Sequence, residues 1–304
     1  MKRKAYGRDA GLTLRMLLTS SLLGLLYVAF ALVLFYVFNA GLVLMVVIVG
    51  GMAIFQYFTS DKLALAASGA KIVSPEEAPK LHALIERLAA MADLQKPRVA
   101  IVDTDVPNAF ATGRNQKHAV VAVTRGLWER LDEKEIEGVL AHELTHIANR
   151  DVLVMTVASF FAMIAAVLTR FGLYAGMFGG FGGGNRDSNN NSVPVWLIVV
   201  AVSVVTYFLS WILIRTISRY REYAADRGSA LLTGEPEQLM SALQKLTDAG
   251  STIPAGDLRD FVAVEALCIV PSSGRRIELL MDHPPLEKRL AHLAEIGREL
   301  GRAR

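Results

Sequence analysis

The 304 residues are 53% hydrophobic, carry a formal net charge of only +3 and have a mean hydropathy of +0.37, more apolar than an ordinary soluble domain and pointing to a bilayer. So small a charge, with no basic stripe interleaved with aromatics, excludes a nucleic-acid binder. The single cysteine, Cys268, excludes an intramolecular disulfide and any multi-cysteine metal site, and reads as a small buried apolar residue in a reducing compartment.

Lys2, Arg3, Lys4, Arg8 and Arg15 precede an uncharged run over residues 16–38. At 1.5 Å per residue this run is about 34 Å long, enough to cross the hydrocarbon core and longer than the apolar part of a signal peptide. A second uncharged run, 41–58, follows at once. The pair predicts a membrane hairpin turning at Asn39 and Ala40, with the basic N-terminus on the cytoplasmic side. From residue 61 the texture is that of a soluble domain. Ser74-Pro75-Glu76-Glu77 predicts a helix start, with a serine N-cap, proline at the first helical position and glutamate three after the cap. Leu81, Leu84, Ile85, Leu88 and Met91 form the stripe this helix buries, and His82 belongs at the core edge. Short β-branched runs at 98–103 and 118–124 predict two strands, with a connecting loop or edge from Pro107 to Gly113.

Asp132 caps the next helix, which runs from Glu133 to about Asn149 with Glu133, Glu135 and Glu137 near its positive end. It contains His142-Glu143-Leu144-Thr145-His146. Side chains four apart share a helix face, so both imidazoles can reach one ion, and Glu143 projects beside them where it can take a proton from water. Asp151 ends the helix. The apolar runs 152–168 and 193–214 flank a polar glycine- and asparagine-rich segment, 179–192, and predict a second hairpin. Trp196 and Trp211 lie near the ends of the last run, and Arg215, Arg219, Arg221 and Arg227 mark the return to the cytoplasm. Helices near Pro236 and over 286–300 complete the chain.

A catalytic zinc takes three protein ligands and leaves one position open. A third histidine six residues after His146 would make a metzincin, but Val152 stands there. His118, His283 and His292 remain possible. The stronger candidate is Glu222, in Arg221-Glu222-Tyr223-Ala224-Ala225-Asp226 just beyond the fourth apolar run, with Asp226 on the same face to fix the tautomer of a ligating histidine. Histidines and Glu222 can meet only if an even number of spans separates them, and the hydropathy supplies two. One Zn2+ per chain on His142, His146 and Glu222, with Glu143 as general base, makes a zinc metalloendopeptidase that hydrolyses peptide bonds. An intramembrane protease would place the motif in an apolar span, whereas charged residues lead into this one. A zinc-binding scaffold or transporter is the reading from another class, but the spans offer no ionisable group of the kind transport favours.

Asn108-Ala109-Phe110-Ala111-Thr112-Gly113, Ala141-His142-Glu143-Leu144-Thr145-His146, Arg221-Glu222-Tyr223-Ala224-Ala225-Asp226 and Asp282-His283-Pro284-Pro285, together with two hydrophobic hairpins in this order, resemble the HtpX-type membrane zinc metalloproteases of bacteria, relatives of the CAAX-processing endopeptidases. The resemblance implies a mainly α fold with a small β-sheet, a gluzincin-like domain anchored by two transmembrane hairpins. It implies a multi-pass protein of the bacterial cytoplasmic membrane, active site facing the cytoplasm, that degrades misfolded or damaged membrane proteins under stress. It also implies that the segment at Asn108 offers an edge strand to substrate, with the Asn108 amide near the scissile carbonyl, and that His283 hydrogen-bonds substrate or oxyanion. The expected partners are the lipid bilayer and unfolded or membrane-protein substrates. The expected domains are 1–60 (basic segment and first hairpin), 61–151 (first part of the protease domain), 152–216 (second hairpin) and 217–304 (second part, with the third ligand).

Overall fold

The computed structural model describes residues 10–38, 42–177, 195–252 and 283–302. The predicted turn at Asn39 and Ala40, the 179–192 segment and Cys268 lie outside the described residues. The chain divides into two compact units, one of Met1–Arg15, Phe58–Val154 and Arg215–Arg304, the other of Met16–Tyr57 and Met155–Ile214.

The second unit is made from four long helices, α1 (Ala10–Phe38), α2 (Leu42–Ser68), α6 (Asp151–Met177) and α7 (Val195–Thr233). Among the described residues three segments are long and apolar enough to cross a membrane: Gly11–Tyr36, Asp151–Arg170 and Leu197–Thr233. The α2 helix, the second predicted span, includes side chains outside the described set. Leu17, Leu25, Val28 and Leu32 of α1 and Val204, Val205 and Phe208 of α7 are exposed, as lipid-facing residues are. Inside the unit Tyr27 donates to the Ala158 carbonyl (2.5 Å) and stacks on Phe161.

The first unit is built on a four-stranded sheet, β1 (Lys71–Ile72), β2 (Arg98–Val102), β3 (Ala109–Thr112) and β4 (Val120–Thr124), in the order β1-β2-β4-β3. The β2–β4 pair is parallel and the two outer pairs antiparallel. Alternation along the strands sends Val99, Val121 and Val123 to one face and Ala100, Val102, Val120 and Ala122 to the other. The first face packs on the helices α3 (Pro79–Met91), α5 (Glu133–Asn149), α8 (Pro236–Thr252) and α9 (Leu286–Arg302). A short helix, α4 (Arg125–Arg130), follows β4. The sequence reading had two strands and missed β1, two residues long, and α4.

One predicted boundary is corrected. The helix after Ser74 begins at Pro79. The Glu77 carboxylate does accept from the Ser74 amide (2.7 Å), but Pro79 pushes the residue before it out of the helical region, and Ala78 sits at φ −137, ψ 62. Residues 75–77 form a turn instead. Of the predicted stripe Leu81, Leu84, Ile85 and Leu88 are buried, whereas Met91, the last residue of the helix, is 51% exposed; His82 lies at the core edge with Nε2 3.1 Å from the Val73 carbonyl.

Candidate metal centre

The α5 helix starts on a complete capping box: the Asp132 carboxylate accepts the Glu135 amide and Glu135 accepts the Asp132 amide. Its far end is set by Arg150 in the left-handed conformation (φ 60), so the chain turns and α6 opens at Asp151. Ile136, Leu140, Leu144 and Ile147 lock one face of α5 into the core, which aims the opposite face, His142 and His146, at α7. Two glycines allow helices to approach this closely. A Cβ on Gly138 would meet the Leu239 backbone at 3.0 Å, and one on Gly228 would come within 2.3 Å of the Thr145 side chain.

The approach brings three groups together. His142 Nε2 and His146 Nε2 are 3.1 Å apart, and each is 3.5 Å from a carboxylate oxygen of Glu222. All three side chains are buried. Ligands of a tetrahedral ion bonded at about 2.0–2.1 Å lie about 3.3 Å from one another, so the triangle fits one such ion. Burial acts to raise the Glu222 pKa, but His283, His142 and His146 hold its carboxyl well below the ordinary carboxylate range, so a charged oxygen faces the point where a cation would sit. The donor set, two imidazoles and a carboxylate, is that of a borderline metal with an open position. Of the alternatives for the third ligand, His118 is bonded to Asn115 and His292 packs on Tyr223, while His283 Nδ1 lies 3.2 Å from Glu222 beside the triangle.

Each imidazole is held from behind. His142 Nδ1 is 3.0 Å from Asp226, and His146 Nδ1 is 2.6 Å from Asp151. Both acids are anchored in turn: Arg289 donates twice to Asp226 (2.9 and 2.6 Å), and Arg221 Nε is 3.3 Å from Asp151. Of the two histidines, it is His142 that Asp226 faces. The roles of Asp151 and Arg289 were missed. The acid ends one helix and starts the next, so its spacing carries no motif. The arginine left a signal: Arg289, Leu293 and Ile296 share the buried stripe of α9, and a charge there demands a buried partner.

Burial alone would disfavour a charged His142, but hydrogen bonds to Asp226 and Glu222 outweigh it and lift its pKa to about 9. The pocket is thus electronegative and suited to a cation. Glu143, also buried, moves the other way. Desolvation holds its carboxyl above the ordinary carboxylate range, with His146 and His142 partly offsetting the rise. The Glu143 carboxylate also receives the Ala111 backbone amide. Asn108 is buried at the entry to β3, its amide donating to Thr124 Oγ1 (2.8 Å), whose hydroxyl donates back to the Asn108 carbonyl (3.0 Å).

A model of Peptidase family M48 matches residues 75–297. The chain is 53% identical over 303 residues to the Protease HtpX homolog of Moorella thermoacetica, covering 98% of each. It is 47% identical over 302 residues to Protease HtpX homolog 2 of Methanosarcina mazei, covering 99% of this chain and 100% of the relative. Protease HtpX homolog 1 of Streptomyces coelicolor is 49% identical over 301 residues, with 98% of this chain and 97% of the relative covered. The solved structure of Ste24p from S. mikatae has a TM-score of 0.48 and 17% identity, over 94% of this chain and 66% of that one. Since the family match takes in both ligand-bearing helices and the relatives run the length of the chain, this protein belongs to peptidase family M48, among its HtpX proteases, and is a membrane metalloendopeptidase.

Proposed function

We propose that the enzyme is a zinc-dependent endopeptidase of the cytoplasmic membrane, working on its cytoplasmic side, whose substrates are misfolded or damaged membrane proteins. The observation that carries this is the convergence of His142, His146 and Glu222 on one point with Glu143 between the two histidines in sequence. The domain arrangement proposed with it joins 61–151 and 217–304 into the protease, held by hairpins within 1–60 and 152–216. Arg215, Arg219 and Arg221 after the last apolar stretch support the cytoplasmic orientation.

His142, His146 and Glu222 hold the zinc. When bound, it would supply a Lewis acid for the scissile carbonyl and would acidify the attacking water. Asp226 and Asp151 keep each imidazole in the tautomer that presents Nε2 to the ion. Glu143 takes the proton of the attacking water and passes it to the leaving amine, and the desolvation that raises its pKa makes it a stronger base. The β3 strand is the edge of its sheet. Thr124 N donates to Asn108 O in the antiparallel pairing with β4, so the alternate residues Ala109 and Ala111 turn away from β4; the Ala111 N–H is taken by Glu143, which leaves the Ala109 N–H and the Ala109 and Ala111 C=O groups at the edge. An unfolded peptide can pair with that edge, which selects extended backbone rather than particular side chains. Asn108 at its start positions the scissile carbonyl. With its Nδ1 3.2 Å from Glu222, His283 keeps a buried Nε2 without a hydrogen bond among the described residues, which supports its role as a donor to substrate or to the oxyanion.

The test uses full-length protein purified in detergent, with casein as substrate. Glu143→Gln is expected to keep its zinc and lose about 10²–10⁴-fold in rate, whereas Glu222→Ala loses zinc as well. Wild type that holds zinc and cuts nothing would support the scaffold or transporter instead. Equal zinc content in wild type and Glu222→Ala would remove Glu222 from the ligand set.

A further inference from the structure

A second cavity of ≈ 600 Å³ in the first unit lies apart from the metal ligands and is lined by the first turns of α1, by α7 and by α9. Among the described residues its walls carry Arg15, Lys288, Arg298 and the acid Glu295. Two tyrosines, Tyr220 and Tyr223, add hydroxyls, and His292, edge-on to Tyr223 with ring centroids 5.3 Å apart, leaves its Nε2 without a hydrogen bond among the described residues. Three cations, two phenols and an imidazole around a cavity that also has apolar walls form a site for a phosphate-bearing anion with an apolar body.

Its place in the chain says which anion. Gly11, Leu12 and Arg15 line the cavity, and the apolar span of α1 begins at Gly11. The cavity therefore lies within about one turn of the level at which the helix enters hydrocarbon, where lipid phosphates sit. Basic residues at that level attract anionic lipids by about 1 kcal/mol each, and tyrosines favour the same interface. We infer that this cavity binds the headgroup of an anionic phospholipid, its phosphate between Arg15, Lys288 and Arg298 and its polar substituent against Tyr220 and Tyr223. A lipid held there ties α1 to α9, and so the first membrane helix to the C-terminal helix that carries Arg289.

The experiment is a native mass-spectrometry titration of the full-length protein in neutral detergent with short-chain phosphatidylglycerol, phosphatidylcholine and inorganic phosphate. Wild type is expected to retain phosphatidylglycerol in preference to phosphatidylcholine. Lys288→Gln with Arg298→Gln should weaken that retention roughly 10- to 30-fold, and Glu295→Gln should strengthen it. Thermal unfolding in detergent without added lipid checks that the double variant is folded; if it is not, Arg15→Gln alone, expected to lose roughly 5-fold, replaces it. Equal retention of the two lipids by wild type, or undiminished retention by a folded variant, overturns the proposal. Displacement of the lipid by millimolar inorganic phosphate with equal occupancy would reassign the site to a free anion and overturn the lipid assignment.

Discussion

Asp226 and Asp151 show how much of a metal centre lies behind its ligands. A histidine binds metal through one nitrogen only when the other is tied, and here each ring has its own carboxylate, each carboxylate its own arginine. Asp226→Asn keeps the volume but weakens the acceptor and leaves Arg289 facing a neutral group in a buried site. Metal affinity is expected to fall about 10- to 100-fold, read by competition with a chelator, with the helical circular dichroism unchanged. Asp151→Asn should act similarly through His146. A variant of either kind with wild-type affinity would mean that the carboxylate supports the fold rather than the ligand. The motif residues His142, Glu143 and His146 were legible because helical spacing alone places them. Arg289 was not, because its partner Asp226 lies 63 positions away.

At the scale of elements, the position of α5 rests on contacts at both ends. Near its start Glu135, almost fully buried, accepts Ser241 Oγ (2.6 Å) and Lys245 Nζ (2.6 Å) from α8 as well as closing the capping box. Burial acts to raise its pKa, but Lys245, Ser241 and the Asp132 amide together bring it below the usual carboxylate value. A depressed folded pKa gives stability that is fully present above the unfolded value and is lost as pH falls through the folded one. Glu135→Gln should therefore lower the thermal midpoint at pH 7, by about 1–3 kcal/mol in stability, and the gap to wild type should close as pH falls below about 4.3. A gap that stayed constant across that window would show that the charge is not what stabilises. Toward the other end of α5, Gly228→Ala in α7 would drive a methyl into Thr145. Lowered stability and lost metal are expected, with partial recovery in Gly228→Ala/Thr145→Ala, because the second change removes the Cγ2 and Oγ1 atoms that collide. No recovery would place the fault elsewhere in α7.

For the whole molecule, the metal centre depends on how the chain returns. The α7 helix is 39 residues long, about 58 Å at 1.5 Å per residue and well beyond the about 30 Å of hydrocarbon, so its charged half, with Glu222 and Asp226, extends past the lipid. Two apolar stretches, in α6 and in the first half of α7, separate His146 from Glu222, and an even number of crossings is what lets one ion claim both. Reporter fusions at Asn39 and Asn190 are expected to report the same side, opposite to a fusion at the C-terminus. A reporter at Asn190 on the C-terminal side would mean that the second hairpin does not cross. The sequence by itself determined the local and periodic features: apolar runs long enough to span, the histidine pair with its glutamate, and the buried stripes of the amphipathic helices, all set by covalent spacing and solvent preference. Only the tertiary structure decided that Gly228 lies against Thr145, that Glu135 takes Ser241 and Lys245, and that Arg289 reaches Asp226. Those depend on which segments close packing brings together, and contacts between residues distant in the chain leave no period in it.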